Sequence, residues 1–74
     1  MNVGELDQIA NDLLLKGHAT REEEGIFIDL SSFGVDKLLG SGNVNKKLII
    51  QVKTFSASAD RKIREAKGNI VKVE

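Results

Sequence analysis

The apolar positions near the amino terminus recur every three or four residues, which is typical of an amphipathic helix. The pattern predicts a helix from Asn2 to Lys16. Asn2 and Glu5 have the spacing of a capping box, and Gly17 is suited to end the helix. Leu15 falls on the polar side and is expected to be exposed. The apolar stripe consists of Leu6, Ile9, Ala10, Leu13 and Leu14.

Alternation with a period of two follows a polar segment. His18 to Gly25 contains three consecutive glutamates and is interpreted as a solvated loop, with His18 at the surface. Residues 26–30 then alternate, which predicts a strand whose Ile26, Ile28 and Leu30 face the core. The strongest strand pattern runs from 47 to 54, and its apolar triplet at 48–50 predicts a central strand.

Two glycine-containing segments separate these strands. Ser31 or Ser32 is expected to start a turn that Gly34 completes, and a short extended piece follows whose Leu38 and Leu39 are expected to be buried. The segment 39–44, LGSGNV, lacks the Lys-Ser/Thr pair and following helix of a phosphate-binding loop. It is therefore interpreted as a plain turn.

A second, shorter helix is predicted after the central strand. Ser56 is a suitable N-cap, and Asp60 can pair with Arg64 four residues later. Gly68 is expected to end the helix in a left-handed conformation, before a last strand at 69–73. The inward stripe consists of Ala59, Ile63 and Ala66.

The resulting order is helix, strand, turn, strand, strand, helix, strand, which indicates a small mixed α/β fold. Seventy-four residues are enough for one domain, residues 1–74. Without cysteine the chain can form neither a disulfide nor a thiolate metal site. No apolar run is long enough to span a bilayer, and residues 1–10 do not resemble a signal peptide, so a cytoplasmic location is expected.

Charge divides the chain into two halves although the net charge is zero. Residues 1–36 contain eight acidic and two basic residues, whereas residues 37–74 contain nine basic and three acidic ones. A half with a net charge of +6 is suited to face a polyanion. The alternative is that the acidic and basic halves simply complement each other within the fold.

Three motifs in the second half occur together at characteristic spacing. They are Leu39-Gly40-Ser41-Gly42, then Leu48-Ile49-Ile50-Gln51-Val52, then Phe55-Ser56-x-x-Ala59-x-x-x-Ile63-x-x-Ala66-x-Gly68. This ordered set, within residues 37–73, resembles the C-terminal part of the large-subunit ribosomal protein L-fifteen family, in its archaeal and eukaryotic type. The sister L-eighteen-e type shares the fold and the Phe-Ser-x-x-Ala region, and is the alternative.

The resemblance implies an irregular stack of β-β-α turns, here preceded by an N-terminal helix. The chain departs from the family pattern at two positions: Lys47 stands where a proline is usual, and Lys67-Gly68 replaces a double glycine. Members of the family also carry a long basic N-terminal arm that threads into ribosomal RNA. This chain has no such arm and is therefore interpreted as the C-terminal globular part of a longer protein.

The function that the resemblance implies is structural, in the large ribosomal subunit, with ribosomal RNA and neighbouring ribosomal proteins as partners. Lysine and arginine side chains would neutralise backbone phosphates, which gives affinity without reading sequence. Phe27, Phe33 and Phe55 are the only aromatic residues besides His18, so stacking of single-stranded bases is not expected. The candidate contacts are Lys46, Lys47, Lys53, Arg61, Lys62, Arg64 and Lys67.

Two other interpretations remain open. The candidate cations could serve only as a solubilising surface, because exposed lysine and arginine are common on all proteins. Alternatively, the acidic first helix, with Glu5, Asp7, Asp12 and the outward Leu15, could form a protein–protein docking module. No pairing of histidine with carboxylate, reactive cysteine or phosphate loop indicates an enzyme, and no cofactor, small-molecule substrate or membrane partner is expected.

Overall fold

A computed structural model describes residues 1–73. It contains two helices, α1 (Val3–Leu15) and α2 (Ala57–Glu65), and six strands. The strands are β1 (Thr20–Glu22), β2 (Gly25–Asp29), β3 (Lys37–Leu38), β4 (Leu48–Val52), β5 (Thr54–Phe55) and β6 (Asn69–Lys72). A 3-10 turn, Leu30–Phe33, follows β2. The small mixed α/β class is confirmed.

Four strands form the main sheet in the order β1-β2-β4-β6. β1 and β2 form an antiparallel hairpin, whereas β2, β4 and β6 are parallel. β4 lies between two neighbours, as its apolar pattern predicted. β3 and β5 pair separately as a short parallel ribbon. Within this arrangement β4, β5 and α2 form one β-β-α unit in chain order.

One face of the sheet and both helices enclose the core. In register, Ile28, Ile50 and Ile70 lie side by side across β2, β4 and β6, and all three are buried. Leu6 of α1 and Ile63 of α2 have no exposed surface and belong to the same cluster. The apolar faces of the helices and of the strands therefore pack into a single core. Burial of this apolar surface stabilises a chain of this size.

The segment 39–44 closes the amino-terminal end of α1. The amide of Val3 donates to the carbonyl of Leu39 (2.9 Å), and that of Gly4 donates to the carbonyl of Ser41 (3.0 Å). A Cβ at Gly4 would lie 2.8 Å from the Cα of Gly42, so only glycine allows this approach. The predicted capping box is wrong in this respect: Asn2 makes no side-chain cap, and backbone carbonyls satisfy these helix amides instead.

The end of α2 also differs from the prediction. The left-handed residue is Lys67 (φ 66°), not Gly68, and it is the only non-glycine residue with positive φ among residues 1–73. Gly68 is required for another reason: a Cβ there would overlap the carbonyl oxygen of Leu48 and lie 2.9 Å from its amide nitrogen. The glycine therefore permits contact between the end of α2 and β4, while Lys67 adopts the unfavourable conformation.

Two further expectations are wrong. Residues 20–22, assigned to a loop, form the edge strand β1, whose three residues are all exposed. An edge strand exposed on both faces has no apolar alternation, so the hydrophobic pattern contained no signal. Leu39, expected to be buried beside Leu38, is 41% exposed, because its backbone, not its side chain, contacts α1.

Candidate nucleic-acid interface

The seven candidate cations lie in four places on the fold. Lys46 and Lys47 precede β4, Lys53 follows it, and Lys67 lies between α2 and β6. The remaining three, Arg61, Lys62 and Arg64, are on α2. The structure therefore distributes them over the two ends of the parallel strands and the outer side of one helix, and does not gather all of them into one patch.

Lys46 contributes to the fold through a polar contact between the loop and α1. Its ammonium donates to the main-chain carbonyl of Asp7 (2.9 Å) and lies 3.5 Å from Oδ2 of the same residue. Oδ1 of Asp7 accepts from the amides of Asn45 and Lys46, both at 3.0 Å. Asp7 is only 5% exposed, so this carboxylate belongs to the interior and not to an acidic surface of α1.

Lys62 makes a second internal contact. Its ammonium donates to the carbonyl of Gly42 at 2.6 Å and so links α2 to the glycine-rich segment. Together with the contacts of Gly4 and Asp7, this bond fixes the segment 39–46 between the two helices. The LGSGNV segment is followed by a strand and not by a helix, and it has a definite packing role.

The two arginines of α2 are exposed and paired along the helix. Arg64 donates to Asp60 (Nε–Oδ1 2.7 Å), as the sequence predicted, and Arg61 lies 3.6 Å from Glu65. The side chains of both arginines are more than half exposed, so each pair contributes at most about 1 kcal/mol. Such pairs can open at little cost when a stronger anion approaches.

Two lysines that sequence reasoning missed, Lys37 and Lys72, lie near the carboxyl end of β4. Lys37 of β3 is in register with Thr54 of β5, and Lys72 of β6 is in register with Val52 of β4. Lys53, between those two positions, lies 3.7 Å from Asp36 in an exposed pair. Because the three lysines are far apart in sequence, no local pattern could have indicated that they meet.

Lys47 and Lys67 differ from the other five candidates. Both are exposed, and neither ammonium has a hydrogen-bond or ion-pair partner among residues 1–73. Gly68 packs against the backbone of Leu48, so the residues that precede them, Lys67 and Lys47, are carried on adjoining segments. These two are the unengaged cations of the candidate set.

Two features are absent from the described part of the chain: a cluster of metal-binding side chains and a membrane-spanning helix. Residues 1–73 contain no group of three or more histidine, cysteine, aspartate or glutamate side chains that could hold a metal ion. No helix among them is long and apolar enough to cross a membrane. A cavity of about 480 Å³ is an open groove between the start of α1 and residues 41–45, lined mainly by polar residues.

The fold and this surface define a small mixed α/β domain with basic residues at the ends of its parallel strands and on its second helix. A family model for the ribosomal proteins 50S-L15 and 50S-L18e, together with their counterpart in the 60S subunit, matches residues 1–71. The chain belongs to this family of ribosomal proteins. The match includes the acidic first half, where no motif had indicated the family.

Individual relatives agree with the L-fifteen resemblance. The chain is 45% identical over 71 residues to large ribosomal subunit protein uL15 of Staphylothermus marinus, covering 96% of this chain and 47% of that protein. It is 41% identical to uL15 of Thermofilum pendens and 36% identical to uL15 of Methanobrevibacter smithii, each over 73 residues. These alignments cover 99% of this chain and 48% and 50% of the relatives. The chain thus spans about half the length of the curated relatives it matches.

Proposed function

We propose that this chain acts in the ribosome as a structural part of the large subunit and binds ribosomal RNA through phosphate contacts. The observation that carries the proposal is its match, over nearly the whole chain, to proteins named as large ribosomal subunit proteins. The proposed role is non-enzymatic. A ribosomal location would place the chain in the cytoplasm, as the sequence also indicates.

Electrostatics supports RNA as the partner. Residues 37–74 have a net charge of +6, and the basic side chains of this half are mostly exposed. Each phosphate that a lysine or arginine neutralises releases counterions, so affinity should fall steeply as salt increases. The proposed contacts are the exposed candidates Lys47, Lys53, Arg61, Arg64 and Lys67, whereas Lys46 and Lys62 primarily hold the fold together.

A salt titration of RNA binding tests the proposal. The chain is titrated against large-subunit ribosomal RNA by filter binding at several salt concentrations, with the double variant Arg61→Glu, Arg64→Glu beside the wild type. We expect steeply salt-dependent binding that the charge reversal weakens. If the wild type does not bind at low salt, the RNA proposal fails; if the variant keeps both affinity and salt slope, α2 is not the contact surface.

A docking role for α1 is the second proposal, and one observation favours it. Leu15, at the end of α1, is 86% exposed, which is unusual for a large apolar side chain at a helix end. Of the acidic residues expected on that surface, Glu5 and Asp12 are exposed but Asp7 is buried. Pull-down of neighbouring ribosomal proteins with and without nuclease separates the roles, because retention after RNA digestion requires a direct protein contact.

A further inference from the structure

The structure carries Lys47 and Lys67, two lysines that are exposed and unpaired among residues 1–73, on adjoining segments just before β4 and β6. A Cβ at Gly68 would overlap the carbonyl of Leu48, which places the backbone of residues 67–68 directly against that of residues 47–48. Lys47 and Lys67 immediately precede Leu48 and Gly68, so they are carried on adjoining backbone segments. Two ammonium groups on adjoining segments repel each other.

The conformation of Lys67 adds a second cost at the same place. Its φ of 66° lies in the left-handed region, where an L-residue is strained and glycine is not. Residues in unfavourable backbone conformations persist where the surrounding structure holds them, and they cluster at functional sites. Here the strained residue carries an exposed ammonium without a partner among residues 1–73, whereas each of the other five candidate cations contacts a carboxylate or a carbonyl.

The nearby acidic residues do not neutralise this pair. The hairpin turn between β1 and β2 places Glu24 next to Gly25, which contacts Lys47 from the β2 side. Lys67 is on the other side of β4, because the sheet order is β1-β2-β4-β6. Glu65, two residues before Lys67, is paired with Arg61. No carboxylate among residues 1–73 lies within ion-pair distance of either lysine ammonium.

We propose that Lys47 and Lys67 together bind one phosphodiester group of the RNA, at the amino-terminal ends of β4 and β6. A single phosphate between the two ammonium groups relieves their mutual repulsion and forms charge-assisted hydrogen bonds with both. The inference rests on the proposed RNA-binding function and deepens it, since it assigns one shared phosphate to these two lysines, in addition to the contacts proposed for the arginines of α2.

A double-mutant cycle on RNA affinity tests the pair. Lys47→Ala, Lys67→Ala and the double variant are titrated with large-subunit ribosomal RNA at several salt concentrations. The matched control is Lys16→Ala, an exposed lysine at the end of α1 in the acidic half. We expect the double variant to bind RNA roughly tenfold more weakly than the wild type. Because one phosphate is shared, each single variant should already show most of this loss of affinity. The slope of log affinity against log salt should be lower by about 0.9 in the double variant.

The results that would overturn the inference are distinct from those that would overturn RNA binding. If the wild type binds RNA and the affinity of the double variant is within about twofold of it, the two lysines do not form a phosphate site. The RNA-binding role would then stand. Strictly additive losses, with a slope lower by about 1.8, would show two separate phosphates and refute the shared site. No binding by the wild type at low salt removes both proposals.

A second variant at Lys67 separates binding from folding. Lys67→Gly removes the side chain and the backbone strain together, whereas Lys67→Ala removes only the side chain. We expect both variants to lose RNA affinity equally, although the glycine variant should be the more stable of the two in urea. Retained RNA affinity in the glycine variant would contradict a role for the lysine ammonium.

Discussion

Replacing Asp7 by alanine tests whether a buried carboxylate, and not apolar packing alone, fixes the glycine-rich segment on α1. The substitution removes the acceptor of two 3.0 Å bonds from the amides of Asn45 and Lys46, and the partner of the Lys46 ammonium. The apolar core contacts of α1 remain. We therefore expect a loss of stability without a change of fold.

The magnitude follows from the bonds that are lost. A hydrogen bond to a charged group contributes about 1.5 to 3 kcal/mol, so two of them amount to roughly 3 to 6 kcal/mol. Alanine returns about 0.5 kcal/mol through its higher helix propensity, and water can reach the freed amide of the exposed Asn45. A net loss of about 2 to 4 kcal/mol is expected, against a total stability of roughly 4 to 11 kcal/mol for a chain of this length.

Equilibrium unfolding in urea, followed by circular dichroism, measures the effect. With a slope of about 1 kcal/mol per molar urea, the midpoint should fall by about 2 M or more. Asp12→Ala is the matched control, because Asp12 is exposed on the same helix and should change stability by no more than about 0.5 kcal/mol. If Asp7→Ala and Asp12→Ala are equally stable, the reasoning about the buried carboxylate is refuted.

Three further changes concern the ends of α2. Gly68→Ala should destabilise by about 2 kcal/mol or more in urea unfolding, because its methyl group overlaps the backbone of Leu48; an unchanged midpoint would contradict the close approach. Lys67→Gly should raise the free energy of unfolding by about 0.5 kcal/mol, since relief of the left-handed strain exceeds the added entropy of the unfolded chain. A lower stability would argue against positive φ at residue 67. Ser56→Ala should lower the thermal midpoint by several degrees, because its hydroxyl accepts from the amide of Ala59 at 3.2 Å and a lost N-cap costs about 1 kcal/mol. No shift in that midpoint would indicate that the cap is dispensable.

The elements with a strong apolar period were predictable from the chain alone. The stripes that contain Leu6 and Ile63, and the alternation around Ile28 and Ile50, each led to the observed helix or strand with the expected residues inside. Burial of one face is a local property of the sequence, because the positions of apolar residues must match the geometric period of the element. The N-cap Ser56 and the Asp60–Arg64 pair were predictable for the same reason.

The sequence predicted which cations could form the candidate site, but not which of them have a hydrogen-bond or ion-pair partner. Lys46 and Lys47 are adjacent in sequence, yet one ammonium contacts Asp7 and the other has no partner among residues 1–73. The difference depends on a residue almost forty positions away, so no local pattern contains it. Lys37 and Lys72 were missed because only strand pairing brings them to Lys53.

The sequence by itself determined the small mixed α/β class, the buried faces of the strongly periodic elements and the family, because periodicity and motif spacing are local. The tertiary structure decided which glycine allows a close approach, which residue takes the left-handed conformation after α2, and which cations remain free. Those outcomes depend on what packs against each position: Gly68 lies against the backbone of Leu48, and Asp7 accepts hydrogen bonds from two loop amides. Lys46 reaches the Asp7 carboxylate, whereas Lys47 does not. Contacts between distant segments set these states, and they arise only when the chain has folded.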